Sequence, residues 1–203
     1  MSAVTAEVAD QVAGELSELA DLLAGLPAAA WDAPSLCPGW RVREVVAHMT
    51  LPMHASPPVV LLGLLRARMR WDVLADRRAR LDARRTPEQL LAALRAPRML
   101  AWTPPGGGAT GALVHAVVHG LDITEALAVG RRPPAARTRI VLDGLTVPRS
   151  LTHFGVALQG MQLQAEDLDW SYGSGRVVRA PAAELALILS GRRLADPEAS
   201  KAV

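Results

Sequence analysis

Apolar residues recur at helical spacing along most of this chain. Val4, Val8, Val12, Leu16, Leu19 and Leu23 step by fours and threes, which predicts one amphipathic helix over residues 3–26. Gly25 and Pro27 stand where that helix should stop. A loop over 27–39 carries Trp31, Cys37 and Pro38-Gly39, and a second helix over 40–51 turns Val42, Val45, Val46 and Met49 inward. Pro52, Pro57 and Pro58 break it, and a third helix is expected over 59–80. Thr86, Pro87 and Gln89 give the fourth helix a capping-box start, and it should run to about residue 100. Thr103 to Gly108 reads as a flexible loop, a fifth helix spans 109–129 before Gly130, and Pro133-Pro134 opens a sixth over 135–147.

After Gly160 the period shortens to two. Residues 161–166 and 168–172 alternate apolar and polar, Gly173-Ser174-Gly175 reads as a hairpin turn, and 176–179 reads as a further strand. Pro181 then opens a last helix with Leu185, Leu187, Ile188 and Leu189. The pattern describes a mainly α protein, a helical body over 1–150 carrying a small α/β (ββα) module over 151–203.

Composition narrows this picture. Half of the 203 residues are hydrophobic but only 3% are aromatic, so the core is built from Leu, Val and Ala, a mixture that favours packed helices. The formal net charge is +2, and the densest basic stretch, Arg66 to Arg85, is interrupted by Asp72, Asp76 and Asp82. That reads as a solvated helix face and not a nucleic-acid surface. Cys37 is the only cysteine, which excludes an internal disulfide and a cysteine-based zinc cluster. No basic-then-apolar leader opens the chain and no apolar run reaches the roughly 18 residues of a membrane span, so a cytoplasmic protein with no membrane partner is expected, as monomer or homodimer.

The fifth helix carries the chemistry. Leu113, Val114, Val117, Val118 and Leu121 cover one side, and Ala112, Ala116, Ile123 and Leu127 most of the rest, so this helix belongs in the core. His115, His119 and Asp122 share the remaining strip, since about 100° per residue places His119 about 40° from His115 and Asp122 about 20° from it on the other side. Histidines at i and i+4 can chelate a metal from one helix face. Ala116 occupies the position where a metalloprotease helix needs glutamate. A third ligand must come from elsewhere, and His48, at the edge of the apolar face of the second helix, is the natural candidate. Three neutral imidazoles bind Zn²⁺ and leave one position open, as in catalytic sites. Asp122 would then orient a ligand or join the set. The plainer alternative is that these histidines are hydrogen-bonded core residues. His54 among prolines and His153 near the surface are weaker ligand candidates.

The segment Ser35-Leu36-Cys37-Pro38-Gly39-Trp40-Arg41-Val42-Arg43-Glu44-Val45-Val46-Ala47-His48 resembles the CPGW-x-V-x-(D/E)-V-V-x-H signature of the mycothiol-dependent maleylpyruvate isomerase family, within the DinB-like superfamily. Val114-His115 through His119-Gly120-Leu121-Asp122-Ile123 is similar to that family's second metal segment. Asp167-Leu168-Asp169-Trp170 to Gly175, and Ala182 to Gly191-Arg192, are similar to its C-terminal module, so the resemblance runs in order along nearly the whole chain.

The resemblance implies a DinB-like four-helix bundle with a small α/β tail. It implies a divalent metal, usually zinc with nickel or iron as alternatives, held at the positions of His48, His115 and His119, where the family pattern has glutamate in place of His115. It implies mycothiol or a similar small thiol, activated by the metal and added to a small electrophile in an isomerisation or an S-transfer. Arg192 matches the family's C-terminal arginine, which would hold a substrate carboxylate; beside Gly191 it could equally cap a helix. Cys37 fits a buried structural turn, and Trp31, Trp40, Trp71 and Trp102 fit packing anchors, with Trp40 and Trp102 placed to wall a pocket. The competing classes are a non-catalytic metal- or small-molecule-binding DinB-like protein and a purely structural helical dimer.

Overall fold

The computed structural model describes residues 3–193, with side chains from residue 5 onward, so Val4 falls outside the described side chains. Two compact units meet in sequence at Gly130 and Arg131.

In the first unit, α1 (Ala3–Ala24) buries Val8, Val12, Leu16, Leu19 and Leu23, the stripe that the spacing predicts. After a short 3₁₀ turn (Ala28–Asp32) comes α2 (Val42–Met49), whose Val42, Val45, Val46 and Met49 are fully buried. Two short helices follow, α3 (Leu51–His54) and α4 (Pro57–Arg66), then α5 (Trp71–Asp82), α6 (Pro87–Leu94), α7 (Pro97–Leu100) and α8 (Gly108–Thr124). Helix α8 packs against α1 and α2, with α5 packed on α2 and α6 on α1, which makes a helical bundle. Ala112, Leu113, Ala116, Val117, Val118, Leu121 and Ile123 are all buried there. Full burial is worth about 1.5–3 kcal/mol for each Leu, Ile or Val side chain.

The expected third helix over 59–80 is two helices. Arg68 and Met69 take φ of +54° and +61°, and the Met69 N–H reaches the Leu64 carbonyl while the Arg68 N–H reaches Leu65. This is a Schellman stop, usually made by glycine, so a chain that builds it from Arg68 hides it from sequence reading. The fourth helix starts as expected, with Thr86 Oγ1 accepting from the Gln89 N–H and Gln89 answering to the Thr86 N–H, but Pro97 divides it into α6 and α7.

The second unit contains α9 (Ala135–Leu145), α10 (Pro148–Phe154), β1 (Met161–Ala165), β2 (Ser171–Gly173), β3 (Arg176–Ala180) and α11 (Ala182–Leu189). The boundary expected at residue 150 would cut through α10 and leave α9 with the bundle. In the structure α9 packs against α10 and α11, and its Val141, Leu142 and Leu145 are fully buried, so the division comes twenty residues earlier, at Gly130.

The sheet also differs from the expected hairpin. Its order is β2-β1-β3, with β1 antiparallel to β2 and parallel to β3. Gly173-Ser174-Gly175 therefore crosses from one edge of β1 to the other. A Cβ on Gly173 would lie 2.5 Å from the Met161 carbonyl oxygen, and one on Gly175 2.3 Å from that of Gly160. Only glycine lets the crossing pass this close to the start of β1. Among the described residues no helix is long and apolar enough to cross a membrane.

Candidate metal centre

The site begins in the turn ahead of α2. The Ser35 Oγ donates to the Trp40 carbonyl at 2.8 Å and accepts from the Cys37 N–H at 3.1 Å, while Gly39 turns with φ +76°. The Leu36 N–H donates to the Asp122 carbonyl of α8 at 2.9 Å, which moors the turn to that helix. Arg41 opens α2: its backbone N–H and side chain both bond Glu44, with Arg41 Nη2 at 2.6 Å from Glu44 Oε1. Burial pushes the Glu44 carboxyl up, and the Arg41 bonds outweigh it to leave the group below its ordinary range.

One residue from α2 and two from α8 then converge. His48, His115 and His119 bring ring nitrogens to within 4.8 Å of one another. His48 Nε2 and His115 Nε2 lie 3.3 Å apart. Two nitrogens bound to one tetrahedral zinc at about 2.0–2.1 Å would be about 3.3–3.4 Å apart, so the observed spacing fits a shared ion. His119 Nδ1 lies 2.9 Å from Asp122 Oδ2, and Asp122 is completely buried. A buried carboxylate accepts, so Nδ1 carries the proton and Nε2 keeps the lone pair a metal needs. The chain's own donor set fits a divalent ion.

Two tryptophans border the cluster. The Trp40 ring lies 5.1 Å from His48, and the Trp102 ring 5.5 Å edge-on from His115. Trp40 Nε1 donates to Asp76 Oδ1 at 2.9 Å. The Arg80 guanidinium, and then this indole, hold the Asp76 carboxyl below its usual range. Trp31 is buried and Trp71 half-exposed.

Sequence spacing missed Cys37. Its Sγ lies 3.0 Å from Asp122 Oδ2 and 3.9 Å from His119 Nδ1, so the thiol meets the same carboxylate as the histidine. Eighty-five residues separate it from Asp122, and no local spacing could have joined them. His54 lies apart, in a cleft of about 430 Å³ with Arg78, Asp82 and Arg85, where burial and then Arg85 lower its pKa. His153 is exposed, edge-on to Phe154. Four arginines of the basic stretch pair with its aspartates: Arg70 with Asp72, Arg78 and Arg85 with Asp82, Arg80 with Asp76.

Arg192 belongs to the second unit. Its backbone N–H bonds the Leu187 carbonyl beyond Gly191, which has φ +71°, in a Schellman closure of α11. Its Nη1 donates to the Ser190 carbonyl at 2.7 Å, and its guanidinium carbon lies 5.7 Å from the centre of the Phe154 ring.

Comparison with known proteins bears on the fold and the family. Two solved structures share the fold: a histidine-to-alanine variant of the mycothiol-dependent maleylpyruvate isomerase, TM-score 0.60, and the unmodified isomerase, TM-score 0.56. Each is 15% identical, with 93% of this chain and 90% of the other covered. None of the curated proteins matches. The family model described as mycothiol maleylpyruvate isomerase N-terminal domain matches residues 12–124, more than half of the chain, from the middle of α1 to the end of α8. The chain therefore belongs to the mycothiol maleylpyruvate isomerase N-terminal domain family.

Proposed function

We propose that this protein is an enzyme that uses a divalent metal, with zinc the first choice, and mycothiol or a similar small thiol to act on a small electrophile. The observation that carries the reading is the convergence of His48, His115 and His119 from two helices, with Asp122 on the far nitrogen of His119. A metal bound there supplies positive charge that keeps a coordinated thiol deprotonated near neutral pH.

The chain's own groups do the remaining work. Asp122 holds the Nδ1 proton of His119 and so presents Nε2. Trp40 and Trp102 place apolar rings beside the cluster. Arg192, in the second unit, is assigned to a carboxylate on the family resemblance, since a guanidinium offers two parallel N–H donors; in the structure its Nη1 donates to the Ser190 carbonyl. In an isomerisation, the thiolate sulfur bonds to one alkene carbon and the π electrons move to the activating carbonyl. Rotation follows about the carbon–carbon bond that has become single, and expulsion of the same thiolate restores the alkene. Atoms and charge balance without an oxidant. In an S-transfer, addition ends with proton uptake at carbon.

The test is metal content together with turnover. Wild-type protein should hold about one equivalent of zinc and His119→Ala much less. The loaded protein should convert maleylpyruvate, or a related electrophile, only when mycothiol is supplied. A wild type with neither metal nor a metal-induced rise in Tm overturns the site. A loaded protein inert towards every thiol and electrophile tried overturns the enzymatic reading.

A further inference from the structure

We infer that Cys37 is a positioning residue of this centre: its thiol donates to Asp122 and so fixes the carboxylate that orients His119. The inference rests on the metal-centre reading and adds a residue to it.

Two contacts meet at one buried oxygen. Asp122 Oδ2 lies 2.9 Å from His119 Nδ1 and 3.0 Å from Cys37 Sγ, with Cys37 only 9% exposed and Asp122 at 0%. An ionised carboxylate in such a place needs donors, and a charged acceptor strengthens the otherwise weak S–H donor. The thiol is held in place independently. The Cys37 N–H donates to Ser35 Oγ, and the neighbouring Leu36 N–H donates to the Asp122 backbone carbonyl. The turn before α2 thus grips Asp122 by both its main chain and its side chain.

The consequence is directional. With the S–H in place, Oδ2 receives one donor from the turn and one from His119, and the carboxylate is locked towards Nδ1. Without it, the carboxylate loses one of the donors that fix its rotation, and the hold on the His119 ring loosens. A residue that merely filled space would be replaced better by alanine than by serine, because a buried hydroxyl needs a partner. A donor would be replaced better by serine.

Two measurements on the full chain decide the matter. The first is the infrared S–H stretch of metal-free protein, where a single cysteine gives a single band. It should lie at the lower frequency of a hydrogen-bonded thiol and move towards the free-thiol position in Asp122→Ala. A free-thiol band in the wild type, or a band unmoved in Asp122→Ala, overturns the proposal. The second is zinc affinity by chelator competition, with folding checked by circular dichroism. Cys37→Ala should bind about 10- to 100-fold more weakly, and Cys37→Ser should stay close to the wild type. Wild-type affinity in Cys37→Ala, or equal weakness in both variants, overturns it. If the wild type binds no zinc, the metal-centre reading fails, while the infrared band still decides the Cys37–Asp122 bond.

Discussion

His119 and Asp122, one turn apart on α8, are joined at 2.9 Å between Nδ1 and Oδ2 in a buried setting. The carboxylate settles which nitrogen of the ring carries the proton, and so which can serve as a ligand. Neutralising this group should therefore act on the metal and not only on stability. Asp122→Asn is expected to weaken zinc binding about 10- to 100-fold, read by chelator competition.

Imidazole ligands bind only when neutral, so protons compete with the ion. Zinc should be held at neutral pH and released as the pH falls through and below the histidine range, about 6–7. Equilibrium dialysis followed by elemental analysis checks this. Stoichiometric zinc retained at about pH 4 would contradict ligation by three histidines.

Position 115 tests how the ligand set tolerates change. A carboxylate oxygen ligates zinc at about 2.0–2.2 Å, much as an imidazole nitrogen does. His115→Glu should keep zinc through dialysis, and His115→Ala should lose most of it. Equal retention by both would remove His115 from the set.

Glu44 links the α2 start to pH. Burial opposes its charge, yet the side-chain and backbone bonds from Arg41 leave its folded pKa below the ordinary value. The stability it adds is thus fully present above the unfolded carboxylate pKa, about 4.3, and is lost as pH falls through the lower folded value. Glu44→Gln should cost about 1–2 kcal/mol at pH 7. Melting curves of variant and wild type should converge only in acid, as the pH falls through the lowered folded value and beyond it. A gap that persists there would mean that shape, not charge, carries the contribution.

Gly175 has φ +119° and passes the Gly160 carbonyl with no room for a methyl group. Gly175→Ala should destabilise the second unit by about 2 kcal/mol or more, read from denaturant unfolding.

The helical periods were legible because burial enforces them. The α1 stripe, the inward face of α2 and the apolar circumference of α8 each follow from spacing, and the His115–His119–Asp122 strip stands out against them. His48 could be nominated because few other histidines lie on an apolar helix. Three features were not legible, each for a physical reason. Arg68 and Ala128 take left-handed conformations that glycine normally signals. The order of the three strands depends on pairings across the sheet, which alternation alone cannot rank. Cys37 reaches Asp122 through a tertiary contact between segments that share no period.

His48 and His115 are 67 residues apart in sequence, whereas His115 and His119 share one helix. For a metal ion this is a matter of timing. An unfolded chain offers it a pair at best, and the third ligand arrives only when α2 has docked on α8. An ion that binds the assembled trio and not the separate parts shifts the folding equilibrium towards the native bundle. Free zinc concentration would thereby help set how long the bundle persists once made, and a chelator would hasten its loss.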